Sequence, residues 1–268
     1  MALKIGSASV SKMYKGSVEI TKGYLGSNLI YSNVAPASPL GSTPLTNSNF
    51  ISARNLWFTD QPQAEATYGL IENWNTTALT SLQSAFQVTG VVTNSFNEDI
   101  SNWDTSNVTS MKRMFSNSSS FNQNISNWDT SKVTHFGQIF YNASSFNQPL
   151  NSWNVANVTN LWNSFNGANS FNQDLSSWSV NKVSNMDSLF NNASLDTINY
   201  DLILIGWEAK LQSQFPNGTG YSKTPSPSFG SSKYTGGGSA SAARASLVSN
   251  FNWTITDGGI CLLYTSDA

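Results

Sequence analysis

A unit of constant length repeats along the middle of the chain, and this periodicity limits the fold more than any single motif does. Aligned on Phe-Asn, the copies are FNEDISNWDTSNVTSMKRMFSNSSS from 96, FNQNISNWDTSKVTHFGQIFYNASS from 121, FNQPLNSWNVANVTNLWNSFNGANS from 146 and FNQDLSSWSVNKVSNMDSLFNNASL from 171, each 25 residues long. Large apolar residues fill fixed columns: Phe96, Phe121, Phe146 and Phe171; Trp103, Trp128, Trp153 and Trp178; Val108, Val133, Val158 and Val183; Phe115, Phe140, Phe165 and Phe190. A fifth column alternates between Ile100, Ile125, Leu150 and Leu175. A degenerate copy precedes them, with Ile71, Trp74, Leu79, Leu82 and Phe86 in the same mutual spacing, followed by a four-residue insertion before Phe96. No single unit can enclose its own Phe and Trp, so units must stack and bury them between neighbours.

Within a unit, Val108, Met111 and Phe115 follow the i, i+3, i+7 stripe of a short helix, and Asp104, Thr105 or Ser106 offers it an N-cap. The NQDISNW-type stretch reads instead as a brief strand and corner. One strand and one helical turn in 25 residues falls in the leucine-rich-repeat range. The expected fold is therefore an α/β solenoid, a leucine-rich-repeat-like array of about five turns, with parallel strands stacked over about 24 Å.

The wording FNQDISxWDTSNVTxMxxMF resembles the repeat of BspA-like leucine-rich-repeat surface proteins, including mycoplasmal surface lipoproteins. The resemblance covers roughly residues 67–207, and NYDLILIGW with the following SKYTGGGSASAARASLVSNFNWTITDGG resembles the terminal cap of such arrays. It implies surface adhesion or recognition without catalysis. The start, MALKIGSASVSK, lacks the apolar run of a secretory signal or lipobox, a departure from exported members.

The first residues carry a second repeat, ten residues long: IGSASVSKMY, KGSVEITKGY and LGSNLIYS, with Gly-Ser at 6–7, 16–17 and 26–27. Short β runs broken by Gly-Ser corners read as a small meander. They resemble YxGS modules of phage tail and other virion proteins, which would make them an anchor through which chains oligomerise. The alternative is a β appendage covering the first edge of the array. SNVAPASPLGSTPLTNSN reads as a linker, and the terminal CLLYTSDA resembles one frame of a sequencing adaptor met in metagenomic reads, with a plain final strand as the alternative. The expected divisions are a meander at 1–31, a linker at 32–50, the array at 51–207, a cap at 208–260 and adaptor translation at 261–268.

Composition excludes several functions. Only 10% of residues are charged and the formal net charge is −2, which disfavours binding to nucleic acid phosphates. Nine Trp and fifteen Phe are too many for a disordered chain, and no segment approaches a membrane span. The single histidine, His135, shares a column with Ser110, Asn160 and Asn185, and so reads as a surface residue rather than a proton carrier. Carboxylates at Glu98, Asp99, Asp174, Asp187 and Asp201 are scattered, which leaves a glycosidase pair as a distant alternative. Neither a phosphate loop nor a Cys-His cluster for zinc is present, and Asp196, Asn199 and Asp201 lack the spacing of a calcium loop and read as turn residues. No cofactor, metal or catalytic residue is assigned.

What varies between copies is informative. Positions pointing away from the expected helix core change freely, and Arg113, His135, Gln138, Trp162, Asn163 and Asp187 become candidate ligand contacts. Neutral drift on exposed positions is the competing explanation. Asn97, Asn122, Asn147 and Asn172, with Glu98, Gln123, Gln148 and Gln173, read as a ladder of axial hydrogen bonds. The column Thr109, Thr134, Thr159 and Ser184 permits a remote ice-binding idea. The preferred function is non-enzymatic recognition of a cell-surface protein or glycan, on a virion or outside the cell. A bacterial adhesin is the alternative, and a polysaccharide-degrading enzyme a distant third.

Overall fold

The computed structural model describes residues 4–5, 8–9, 23–25, 28–31, 44–87, 96–193 and 195–261. The chain divides into two compact units, residues 1–42 and 43–268. In the first, β1 (Lys4–Ile5) pairs antiparallel with β2 (Ala8–Ser9), and β3 (Gly23–Leu25) with β4 (Asn28–Tyr31). Gly6-Ser7 and Gly26-Ser27 lie between the paired strands in sequence. The Gly16-Ser17 repeat, most of the expected linker and the last seven residues lie outside the described residues.

The second unit begins with α1 (Asn47–Thr59), which starts inside the stretch expected as linker. The side chain of Asn49 reaches back to accept the Thr46 backbone N–H at 2.7 Å, a reciprocal cap that starts a helix despite the Ser and Asn around it. Helix α2 (Gln61–Tyr68) follows, capped by Asp60, which accepts the Gln63 N–H at 3.1 Å, with Pro62 in its first turn.

Over residues 71–87 and 96–193 the repeat units stack one on another, and one interaction recurs at every junction. Each Trp indole N–H donates to the carbonyl of the Ile or Leu in the preceding unit: Trp103 to Ile71 at 2.8 Å, Trp128 to Ile100 at 3.1 Å, Trp153 to Ile125 at 3.0 Å and Trp178 to Leu150 at 2.9 Å. The same carbonyls also accept a backbone N–H within their own unit, as Ile125 accepts that of Trp128 at 3.2 Å, so both lone pairs are used. Beside this ladder, the phenylalanines form a continuous stack. Phe115 lies 3.9 Å from Phe121 and 5.7 Å from Phe140, with planes within 10°.

Two parts of the expected unit differ from the structure. The residues from Val108 to Phe115 form turns rather than helix. Arg113 adopts φ 59°, and its counterparts Ser84, Gln138, Asn163 and Ser188 lie between 53° and 61°, in the left-handed region. A left-handed residue in the middle of each stripe stops helical propagation and turns the amides outward to the next unit. Met111, Arg113 and Phe115 donate to the carbonyls of His135, Gly137 and Ile139 at 3.1, 3.0 and 2.9 Å. The expected N-cap is likewise absent: Asp104 accepts the Ser106 N–H at 2.9 Å in a tight turn.

The second difference is where the parallel pairing lies. It runs not through residues 97–103 but through the column Ser81, Ser110, His135, Asn160 and Asn185, each bridged to the next in parallel. At the Phe-Asn stretch, side chains act instead of neighbouring carbonyls. Asn97 Oδ1 accepts the Asn122 N–H at 2.8 Å, Asn122 Oδ1 that of Asn147 at 2.9 Å, and Asn147 Oδ1 that of Asn172 at 2.9 Å.

Both ends of the stack are covered, as open ladder edges otherwise invite association. On the first edge, Asn47 Oδ1 accepts the Thr80 N–H at 3.1 Å, and Arg54 donates to the carbonyls of Ser84 and Ala85 at 3.1 and 2.8 Å. On the last, α3 (Thr197–Gln214) starts at Asp196, which accepts the Asn199 N–H at 2.7 Å. Its Trp207 donates to Leu175 O at 2.8 Å, continuing the indole ladder from a helix. The expected boundary at 207/208 therefore falls inside α3, because this helix completes the last repeat and belongs to the cap at once. Gly206 permits the contact: a Cβ there would sit 2.5 Å from Ser176 O.

Beyond α3, β5 (Tyr234–Thr235) pairs parallel with β6 (Ile260–Cys261), and α4 (Ser239–Ser249) packs on α3. Among the described residues no helix is long and apolar enough to cross a membrane.

Replacing Trp128 by Phe should cost about 1–3 kcal/mol in urea unfolding, because it removes a buried donor as well as ring volume. Thr130→Val is the control. The Thr130 hydroxyl also donates between units, to Asn154 O at 3.0 Å, but Val155 and Val180 occupy that column in the next two copies. It should cost less than about 1.5 kcal/mol. Equal losses would contradict the special weight of the indole.

Acid stability is a second test. Asp104 and Asp129 are held below the ordinary carboxyl range, by the hydroxyl and backbone N–H of Ser106 and Ser131 respectively. Because folding lowers these pKa values, the stabilisation is present above the unfolded value of about 3.9 and is lost as pH falls through the folded one. Asp104→Asn should keep the turn, since Asn154 makes it natively with Ala156 N–H at 3.0 Å. The variant should then lose less stability than the wild type between pH 7 and pH 3, measured by urea midpoints.

Candidate functional site

The variable positions collect along the parallel ladder. His135 sits in the bridged column, half-buried, and Trp162 is also half-buried, one residue before the left-handed position. Arg113 and Gln138 occupy that left-handed column in successive units, and Arg113 Nε donates to Gln138 Oε1 at 2.6 Å. These two are the only pair of the six candidates joined by a side-chain hydrogen bond among the described residues. Gly137 packs closely against the next unit in the ladder, where a Cβ would lie 3.0 Å from Asn160 Oδ1 and 3.6 Å from the Trp162 carbonyl. Asp187 is exposed at the far end, where its backbone bridges Pro227 of the cap.

Asn163 departs from the expectation of a surface contact. It is 9% exposed and its Oδ1 accepts from Asn166 Nδ2 at 2.6 Å, so its amide supports the turn and does not face a ligand. The physical reason is the left-handed backbone, which Asn tolerates and which folds its short side chain against the following residues.

Three of the five scattered carboxylates have structural partners. Asp99 and Asp174 accept the N–H groups of Ser101 and Ser176 at 2.9 and 2.7 Å, and Asp201 accepts that of Thr235 at 2.9 Å. Asn199 of the possible oxygen-ligand loop donates to Asn172 Oδ1 at 3.0 Å, extending the amide ladder into the cap. A partly buried trio in the cap is similarly committed: Asp257 Oδ2 accepts from Tyr200 Oη at 2.6 Å and from Arg244 Nε at 2.7 Å. Burial and the Asp257 carboxylate push the Tyr200 phenol well above its usual range, so it stays protonated as a donor.

One feature escaped the sequence. A cleft of about 520 Å³ lies between the last repeat and the end of α3, with Lys182, Lys223 and Phe215 in its walls. A second of about 480 Å³ shares Ser179, Asn181 and Gln214 with it and adds Lys210. Lys182 could have been flagged by its column, where Asn107, Lys132, Asn157 and Lys182 alternate. Lys223 lies in the cap, outside any repeat, and carries no such signal.

The matches to known proteins bear on the repeat region. A family model described as Mycoplasma protein of unknown function, DUF285, matches residues 57–166 and again 125–214. No curated protein and no solved structure matches the chain. The two matches overlap in the repeats and end with α3, which agrees with the mycoplasmal part of the resemblance carried by the FNQ and WDTS motifs. Together they span more than half of the chain, which therefore belongs to the DUF285 family of Mycoplasma proteins.

Proposed function

We propose that this protein is a non-enzymatic recognition or adhesion protein, a leucine-rich-repeat-like solenoid whose ladder face binds a cell-surface protein or glycan. The observation that carries the reading is the left-handed column. Ser84, Arg113, Gln138 and Ser188 hold φ of 55–61° where glycine would be cheaper by about 1–2 kcal/mol per residue, and only Asn163, at 53°, is of a type that tolerates this conformation. The next such column, Asn117, Asn142, Gly167 and Asn192, uses the residues that favour this conformation. Backbone strain kept at positions where side-chain size and charge vary points to a presented surface. Arg113 and Trp162 are the residue types that anchor interfaces, and the invariant aromatic core beneath holds them at a fixed spacing.

The Mycoplasma family favours delivery on a bacterial surface, as in the adhesin reading. The ten-residue Gly-Ser repeat favours delivery on a virion, with oligomerisation through the same segment.

The test uses the full chain, fluorescently labelled, on glycan arrays and intact cells. The double variant Arg113→Ala with Trp162→Ala should bind about 10- to 30-fold more weakly at an unchanged melting temperature, as expected for the loss of one to two interface anchors. Undiminished binding by the double variant would remove the ladder face from consideration. Sugar release from polysaccharide by the purified protein would replace recognition by hydrolysis.

A further inference from the structure

The cations of this chain are few and unevenly placed. Thirteen Lys and Arg are spread over 268 residues that carry a net charge of −2, yet Lys182, Lys210 and Lys223 converge on the two adjoining clefts beside α3. No carboxylate lines either cleft. The single ion pair among the described residues is Arg244 with Asp257, so none of the three lysines is neutralised by an acid there. Lys182 Nζ donates to Asn157 Oδ1 at 2.7 Å, which leaves two of its three N–H groups for another acceptor.

The walls between the lysines are amides and a ring. Asn181 Nδ2 donates to Gln214 Oε1, while Asn181 Oδ1 is buried without a hydrogen-bond partner. Asn181 lies in the wall shared by both clefts, and Gln214 beside it lines both as well. Phe215, half-buried, supplies an apolar surface beside Lys223.

The geometry points to a binding site for an acidic saccharide in these clefts, with its carboxylate between Lys182 and Lys223 and a sugar ring against Phe215. Volume separates this ligand from a bare anion. At about 520 Å³ the cleft falls within the roughly 300–1,000 Å³ usual for organic ligands, several times what an inorganic ion fills. The amides supply both donors and acceptors, as sugar hydroxyls require. A neutral sugar would gain nothing from the lysines, and a purely apolar ligand would use neither the lysines nor the amides, whereas an acidic sugar uses both. The adjoining cleft, with Lys210 on its rim, extends the site for a second acidic residue of an oligosaccharide. This site is separate from the ladder residues Arg113 and Trp162 and does not depend on their role.

Calorimetric titration of the full chain with trigalacturonate, maltotriose and inorganic phosphate tests the assignment. Trigalacturonate should bind, maltotriose should not, and phosphate should bind at least tenfold more weakly than trigalacturonate. Raising the salt concentration should weaken the acidic sugar, since the lysines are solvent-accessible. The double variant Lys182→Ala with Lys223→Ala should lose at least tenfold in affinity without a change in melting temperature, whereas the Lys→Arg pair should retain most of it. Arg113→Ala with Trp162→Ala should leave this binding intact, so the two proposals fail separately. Absence of trigalacturonate binding, equal affinity in the Lys→Ala pair, or phosphate binding as tight as the sugar would overturn the site.

Discussion

The stack rests on the indole N–H that crosses each junction. A tryptophan repeated every 25 residues brings large apolar area, but area alone does not fix the register between neighbouring units. The hydrogen bond from Trp128 to Ile100 O does so, because a slip of one residue would strand a buried donor and leave the Ile100 carbonyl short of a partner. The paired phenylalanines then fill the interior that this register defines. Loss of the indole bond would loosen every other periodic contact, since the ladder at Ser110 and the amide ladder at Asn122 both presuppose the same offset.

An array held by junctions has two exposed edges, and this chain covers them by different means. On the first side α1 caps with polar side chains, Asn47 and Arg54, which meet the open N–H and C=O groups directly. On the last side α3 imitates a further unit, as Trp207 donates to Leu175 and Asn199 continues the amide ladder, while Phe229, in the cap beyond α3, stacks on Phe190 at 5.5 Å. The mimicry requires close approach, which explains a glycine at 206 in the middle of α3. It also creates the cleft, since a helix laid against a turn leaves a groove at its end.

Much of this was legible in the sequence, and the reasons for the rest are specific. Core columns and the amide ladder followed from strict period, because burial and axial hydrogen bonding both demand identical residues at each copy. The short helix did not follow. Val108, Met111 and Phe115 have helical spacing, yet three inward positions in eight residues also suit a coiled turn with a left-handed corner at Arg113. Propensity offers no warning there, as arginine is a good helix former. Helix α1 was hidden by its Ser- and Asn-rich start, which reads as linker until the cap at Thr46 and Asn49 is seen. Asn163 looked exposed by its column and is buried by its backbone. The lysine cleft joins a repeat to a cap, and no periodic signal links Lys182 to Lys223.

Hydrogen exchange of the indole protons, followed by NMR, tests the central claim most directly. The account predicts that the Nε1–H groups of Trp103, Trp128, Trp153, Trp178 and Trp207 exchange slowly and together, with free energies approaching that of global unfolding. Trp162, for which no indole acceptor exists among the described residues, should exchange rapidly and serve as the internal control. Fast exchange at Trp128 and Trp153, the central members of the ladder, would contradict it.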